Sequence, residues 1–209
     1  MSKMGFRTRG FIVVMMSLFI SVAHGDVISE NLQKKLNAIR TMSAHFSQVV
    51  KANQRELSRS SGSMALARPG RFRWQTQHPM EQLVVADGHR LWIYDIDLEQ
   101  VTVKPQDHGL GGTAGLFLSG YNDTVTKDFN VTMLVNGNQQ TFDLHATSNK
   151  ASFQRVKLKF VGDALHGIEL FDQLGQHTDV QLQAIKTNPK LADSLFSFKP
   201  PKGTDVVNQ

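Results

Sequence analysis

The sequence predicts a mainly β protein whose short antiparallel strands form a sandwich or a barrel. Residues 71–76 alternate strictly, with arginine and glutamine on one face and phenylalanine, tryptophan and threonine on the other. This period of two is typical of a strand with one buried face and one wet face. Asp87-Gly88 separates two apolar runs and supplies the positive φ that a tight hairpin turn needs. Many short strands joined by such turns indicate an antiparallel meander.

Residues 1–25 have the features of a cleaved secretory signal peptide. Three basic residues among the first nine precede an apolar run at residues 11–23, and Ala23-His24-Gly25 carries small residues where a signal peptidase cuts. The apolar run is shorter than a helix that crosses a bilayer, although a membrane anchor is the alternative interpretation. We therefore expect cleavage after Gly25 and a single soluble domain over residues 26–209.

Charge and cysteine content exclude several classes of protein. The chain has 23 Lys and Arg against 18 Asp and Glu, a formal charge of +5. Loss of the three basic residues of the signal peptide lowers this charge to +2, which argues against a nucleic-acid partner. There is no cysteine, so neither disulfides nor a lipid-anchored cysteine can hold the protein, and its fold must rest on its core.

The first element after the signal peptide is a predicted amphipathic helix over residues 29–41. Leu32, Leu36 and Ile39 recur at helical spacing and are separated by polar and basic residues. Ser29 is the predicted N-cap, because its hydroxyl can accept a hydrogen bond from the first turn.

Eleven strands follow this helix in the prediction. Besides Asp87-Gly88, turns are predicted at Asn136-Gly137-Asn138 and at Gly162-Asp163. The predicted strands are 43–51, 61–67, 71–76, 82–87, 90–95, 99–104, 128–135, 139–147, 153–161, 165–171 and 177–185.

Two segments interrupt the strand pattern. Residues 107–123 hold five glycines around Leu116-Phe117-Leu118, and the segment is either a mobile lid or a loop packed permanently on the core. It lacks the Gly-Lys-Ser/Thr of a phosphate-binding loop. The other interruption is the tail, where Asn188-Pro189 and a short helix-like stretch at residues 191–195 precede Phe196.

The sequence contains no recognisable catalytic or metal-binding pattern. The eight histidines are scattered, and no two of them stand four residues apart on a predicted helix. A Gly-x-Ser-x-Gly elbow and a cysteine nucleophile are both missing. We therefore expect no enzymatic activity, no metal site and no cofactor.

Four ordered motifs carry a resemblance to a known family. They are Arg68-Pro69-x-x-Phe72-x-Trp74, then Leu83-Val84-Val85-x-Asp87-Gly88-x-x-Leu91-Trp92-x-Tyr94-Asp95, then Leu98-Glu99-Gln100-Val101-Thr102, and finally Phe196-x-Phe198-x-Pro200-Pro201-x-Gly203. In order and spacing this set resembles the periplasmic outer-membrane lipoprotein carriers, the LolA family. The resemblance extends over nearly all of the predicted mature chain.

The resemblance implies an unclosed, curved antiparallel β half-barrel of about 11 strands, covered by short helices that act as a lid. It further implies a monomeric chaperone in the periplasm of a Gram-negative bacterium. Such a chaperone takes acylated lipoproteins from an inner-membrane ABC complex and delivers them to an outer-membrane receptor. The alternative, from another class, is a soluble envelope sensor or signalling module that binds lipid on the same half-barrel.

The resemblance also implies a set of functional residues. Arg68 matches the arginine that is thought to hydrogen-bond lid carbonyls and hold the lid shut. Arg71 and Arg73 look less typical of the family, and their charge makes them candidates for contact with acidic partner surfaces. Ordinary core packing and a surface arginine before proline are the structural alternatives. The expected acyl-chain cavity is lined by Phe46, Met64, Leu66, Phe72 and Trp74 from the sheet and by Leu36, Leu116, Phe117 and Leu118 from the lid.

Overall fold

The computed structural model of the protein describes residues 24–106, 114, 118, 128–149 and 151–209. These residues form a helix, twelve strands and a short 3-10 helix at Asp193–Phe196. Within these ranges no helix is long and apolar enough to span a bilayer. The elements are α1 (His24–Ala38), β1 (Thr41–Ala52), β2 (Arg55–Ala67), β3 (Arg71–His78), β4 (Gln82–Asp87), β5 (Arg90–Asp95), β6 (Gln100–Pro105), β7 (Phe129–Asn136), β8 (Gln139–Ala146), β9 (Phe153–Val161), β10 (Ala164–Asp172), β11 (Gln176–Thr187) and β12 (Asp205–Asn208).

The twelve strands form a single sheet in the order β12-β6-β5-β4-β3-β2-β1-β11-β10-β9-β8-β7. Two antiparallel meanders, β1–β6 and β7–β11, are joined where β1 pairs with β11. Within the described chain, β7 and β12 occupy the two edges, so the sheet does not close into a barrel. The structure thus confirms the prediction of an unclosed, mainly antiparallel β half-barrel.

The strand predictions agree closely with the structure, with two differences. All eleven predicted strands are present, and their ends agree within two residues, except that β2 begins at Arg55 instead of residue 61. Residues 55–60 are polar and exposed at most positions, so they lack the pattern that predicts a strand. The second difference is β12, which pairs parallel to β6 through its backbone while its side chains stay exposed.

Helix α1 is displaced along the chain from its prediction. It begins at His24 and ends at Ala38, so Ser29 lies inside the helix and is not its N-cap. Asn188, which follows β11, explains the early end. Its side-chain amide donates to the Ala38 carbonyl at 2.9 Å, and its oxygen accepts from the Arg40 backbone N–H at 2.8 Å. This capping from a distant residue turns the chain into β1 at Thr41.

The inner face of the sheet is the face against which α1 packs. An extended group of buried apolar side chains, the inner apolar cluster, joins α1 to both meanders. Among the residues that the structure describes, the three largest fully buried side chains, Phe72, Phe142 and Phe160, belong to it. Lys35 of α1 also reaches the turn between β9 and β10, where its Nζ lies 2.7 Å from Asp163 Oδ1.

Residues 188–204, the C-terminal strap, lie over the outer face of β2–β5. Phe196 packs against Ala65 and Ala67 of β2, and the ring of Phe198 lies 5.7 Å from that of Trp92. The strap then leads into β12 at the sheet edge. The outer face of β3 was predicted to be wet, and this prediction is wrong where the strap lies over it. The period-two pattern marks polar side chains but does not reveal that a later segment covers them.

Gly62 of β2 leaves no room for a side chain. A Cβ at this position would lie well inside van der Waals contact of the Gln75 carbonyl oxygen on β3. We expect Gly62→Ala to lower the free energy of unfolding by about 2 kcal/mol, as overpacking usually does, measured by denaturant titration. Gly167→Ala is the control, because its Cβ would lie 3.3 Å from the Val180 carbonyl oxygen. This substitution should lower the free energy of unfolding by clearly less. Equal losses would contradict this account.

The strap is a folded part of the protein, since Phe196 is buried. We expect Phe196→Ala to lower the free energy of unfolding by about 3 kcal/mol, because it removes a large apolar side chain from a packed site. Leu174→Ala, at an exposed turn, should change it by less than about 0.5 kcal/mol. The same denaturant titration measures both, and a Phe196 variant as stable as the Leu174 variant would show that the strap does not stabilise the sheet.

Candidate functional site

The inner apolar cluster contains every predicted cavity residue that the structure describes. These side chains are all 8% exposed or less. Leu116 and Phe117 lie outside the described residues, so their predicted role is untested. The seven that come together are Leu36, Phe46, Met64, Leu66, Phe72, Trp74 and Leu118.

The pairing of β1, β2 and β3 places the aromatic residues of this cluster side by side. Phe46 on β1 is opposite Gly62 on β2, and Met64 on β2 is opposite Trp74 on β3. Since Gly62 has no side chain, the rings of Phe46 and Trp74 meet across the intervening strand. Their centroids are 4.0 Å apart with an interplanar angle of 28°, which is a stacked aromatic pair.

The covering elements contact the same cluster from the opposite side. Leu32 and Leu36 of α1 are buried in it, and so are Ala114 and Leu118. The ion pair between Lys35 and Asp163 holds α1 only weakly, because the Asp163 side chain is fully exposed. Apart from the hydrogen bond of Asn188 to its last residue, α1 is therefore held over the sheet mainly by apolar packing, which an apolar ligand can replace.

Arg68 lies at the end of β2, where residues 68–70 lead into β3; we call them the Arg68 loop. Its backbone N–H donates to the Arg40 carbonyl at 2.8 Å. Burial lowers the pKa of its guanidinium to about 10, because the charged form loses hydration. Arg68 therefore remains a cation at neutral pH, in a site where its hydrogen bonds are less screened than in water.

Gln106, which the sequence analysis missed, fastens the Arg68 loop to two other segments. Its side-chain Nε2 donates to the Gly70 carbonyl at 2.6 Å, and its Oε1 accepts from the Gly88 backbone N–H at 3.1 Å. Its own N–H donates to the His89 carbonyl at 2.8 Å. The Gln106 side chain is buried, and both its Nε2 and its Oε1 have a hydrogen-bond partner within the protein, as buried polar groups usually do. A single glutamine after a strand carries no signal that could have revealed this role.

Asp87 gives the predicted hairpin turn a second function. Its carboxylate accepts from the backbone N–H groups of His89 and Arg90 and from the indole Nε1 of Trp92. Partial burial raises the pKa of Asp87, but these hydrogen bonds outweigh it and bring the pKa below its ordinary value. The carboxylate thus orients Trp92 toward the strap.

Arg71 and Arg73 lie on the outer face of β3. The Arg71 Nη1 forms a 2.8 Å ion pair with Asp193 of the strap, and its guanidinium lies 5.4 Å from the centre of the Phe196 ring. Arg73 is partly buried, which lowers its pKa, and its Nη2 is 3.5 Å from Gln75 Oε1. Arg71 therefore contacts the strap, which the sequence analysis did not anticipate, although its ion pair holds the strap only weakly because Asp193 is exposed. Partner contact by either arginine stays a prediction.

Comparison with known proteins identifies the family. The sequence profile of the family described as "Outer membrane lipoprotein carrier protein LolA" matches residues 37–199. An outer-membrane lipoprotein carrier protein of Legionella pneumophila (strain Corby) is 60% identical over 197 residues, which are 94% of this chain and 98% of that protein. One from Dechloromonas aromatica is 37% identical over 190 residues, 90% of each chain.

Solved structures share the fold at low sequence identity. An uncharacterized conserved protein from Thermus thermophilus superposes with a TM-score of 0.52 at 14% identity, over 86% of this chain and 99% of that one. The fold and the extent of the sequence match thus agree with the resemblance seen in the motifs. The chain belongs to the outer-membrane lipoprotein carrier (LolA) family.

Proposed function

We propose that the protein is a periplasmic chaperone that shelters the acyl chains of lipoproteins against its inner face. It carries them from an inner-membrane ABC complex to an outer-membrane receptor. The observation that supports this most directly is the inner apolar cluster, which joins both meanders of an unclosed sheet and is covered by separate elements. The names of its relatives support the choice of cargo.

The energetics of acyl chains explain why such a carrier is needed. Each buried methylene contributes about 0.8 kcal/mol, so a chain of membrane-lipid length does not cross water unprotected. A site that bound the chains as strongly as a bilayer would not release them. Cover by α1 resolves this conflict, because the apolar side chains of α1 and the cargo compete for the same face.

The proposal includes no catalysed reaction and no cofactor. Energy for extraction comes from the ABC complex. Delivery to the receptor depends on the competition between the cargo and α1 for the inner face. Arg68 acts as the latch of the closed state, since a guanidinium has five donors in a rigid fork and keeps its charge. Arg71 and Arg73 are the proposed contacts with acidic partner surfaces.

The first test concerns the cargo and the inner face. We expect the mature protein, purified gently from the periplasm, to carry acylated lipoprotein in a one-to-one complex detected by native mass spectrometry. Phe46→Ala should reduce the loaded fraction severalfold, because it removes the ring stacked on Trp74. Cargo whose acylated cysteine is replaced by serine should not bind.

Phe198→Ala is the matched control for this test, since it truncates an aromatic side chain that packs on the outer face. It should leave the loaded fraction unchanged. Free lipid without lipoprotein would favour the sensor interpretation, and an empty protein in the presence of the ABC complex would contradict the carrier role.

The second test concerns the latch. We expect Arg68→Leu to shift the protein toward the open state and to slow delivery of lipoprotein to receptor-containing vesicles severalfold. Without the latch, closure of the cover no longer competes with the cargo, so the cargo is released less readily. Arg68→Lys should restore delivery only in part, since an ammonium lacks the planar fork. Arg90→Leu, at an exposed position of β5, should deliver normally. Delivery by Arg68→Leu at the normal rate would refute the latch.

A further inference from the structure

We propose that a row of polar side chains at one end of the inner face binds the polar head of the acylated cargo. This polar row consists of Gln48, Ser60, Thr76, Gln82 and Asp95. Its ligand is the group of ester and amide carbonyls and peptide N–H groups that joins the acyl chains of an acylated peptide to its first residues. The inference rests on the proposed carrier function and deepens it.

The polar row continues the inner face directly. Side chains two residues apart on a strand share a face, and each of four row members stands two residues from an apolar side chain of the inner face. These pairs are Phe46 and Gln48, Trp74 and Thr76, Val84 and Gln82, and Ile93 and Asp95.

Strand register aligns the row in two groups. Gln48 is opposite Ser60 on β1 and β2, and on β3–β5 Thr76 is opposite Gln82, which is opposite Asp95. Between the groups the register shifts, so that Thr76 is opposite Gly62, two residues from Ser60. Across five neighbouring strands, the inner face therefore changes from apolar to hydrogen-bonding within one two-residue step. This is the arrangement that an amphiphile requires.

The row also lines a groove with room for a ligand. The groove has a volume of about 340 Å³ and includes all five row residues, each of which is half-buried. Gln82 Nε2 donates to Asp95 Oδ1 at 2.7 Å, and Gln48 Nε2 lies 3.5 Å from Ser60 Oγ. The two hydroxyls and two amides can donate to carbonyls, while Asp95 can accept from a peptide N–H.

The other end of the inner face is closed by the protein itself. There Asn188 caps α1 and holds the start of β1, and Gln106 ties the Arg68 loop to the turn at Gly88. Acyl chains that lie on the inner apolar cluster therefore place their polar head at the groove, where the face of β1–β5 reaches water.

Charge and apolar surface at the groove favour an acylated peptide over an anionic phospholipid. Glu81, Asp95 and Asp97 line it together with a single arginine, Arg59, which is paired with Glu56. This excess of carboxylates opposes a phosphate group. Met80 and Leu98, which are 70% and 72% exposed at the groove, can contact the first methylenes of the chains.

The test compares two ligands that share acyl chains and differ in their heads. The double variant Gln48→Met with Thr76→Val removes hydrogen-bonding groups at nearly constant volume. We expect it to bind a synthetic dipalmitoylglyceryl-cysteinyl peptide about tenfold more weakly, measured by displacement of a fluorescent fatty acid. Its affinity for the fluorescent fatty acid and for palmitate should stay unchanged. Thermal unfolding of the variant checks that the fold is intact.

Matched control substitutions are Gln181→Met and Thr132→Val, which change the same residue types at exposed positions of β11 and β7. They should leave both affinities unchanged. Unchanged peptide affinity in the double variant, or equal loss for peptide and palmitate, would overturn the head-group site while leaving the carrier function intact. Binding of dipalmitoyl phosphatidylglycerol as tight as that of the peptide would overturn the choice of ligand. If the unaltered protein bound neither peptide nor palmitate, the carrier function itself would be wrong.

Discussion

An unclosed β-sheet with an apolar inner face cannot bury that face by itself, and the rest of this structure follows from that constraint. Pairing of β1 with β11 makes one sheet from two meanders, and the edges β7 and β12 stay apart. A closed barrel of about eight strands fills its interior with its own side chains. Here the sheet needs separate covers, and a separate cover can be exchanged for a ligand.

The two faces are covered by elements that are attached in different ways. On the outer face, the strap combines the ion pair of Arg71 with Asp193, the buried ring of Phe196 and the backbone pairing of β12. On the inner face, α1 relies on apolar packing, on the Lys35–Asp163 ion pair and on the hydrogen bond from Asn188 to the Ala38 carbonyl. The carboxylates of both ion pairs are exposed, so neither pair contributes much. Apolar packing has no fixed partner, so acyl chains can replace the packing of α1. The strap, in contrast, continues into β12, and an acyl chain cannot replace the backbone hydrogen bonds of β12 to β6. The inner face is therefore the one suited to exchange.

Much of this arrangement could be predicted from sequence because period-two alternation and turn glycines are local signals. Gly88, Gly137 and Gly162 all have the positive φ that their turns required, and ten strands were predicted within two residues at both ends. The features that escaped prediction depend on distant contacts. Asn188 ends α1 from 150 residues away, and Gln106 is buried because of what surrounds it. For the cavity residues, the family resemblance was needed, since ordinary core packing gives the same pattern.

Strand β2 connects the proposed latch and the proposed head-group site. Arg68 follows its last residue at the closed end of the inner face, and Ser60 lies eight positions earlier at the groove. At about 3.3 Å per residue the two ends are about 26 Å apart, longer than the roughly 15 Å that one lipid leaflet contributes to a bilayer core. A chain whose head is held at the groove therefore extends along β2 toward the Arg68 loop without leaving the apolar face. In the proposed carrier, the head fixes the orientation of the cargo, and the chains displace the cover between the groove and the Arg68 loop, so loading itself favours the open state.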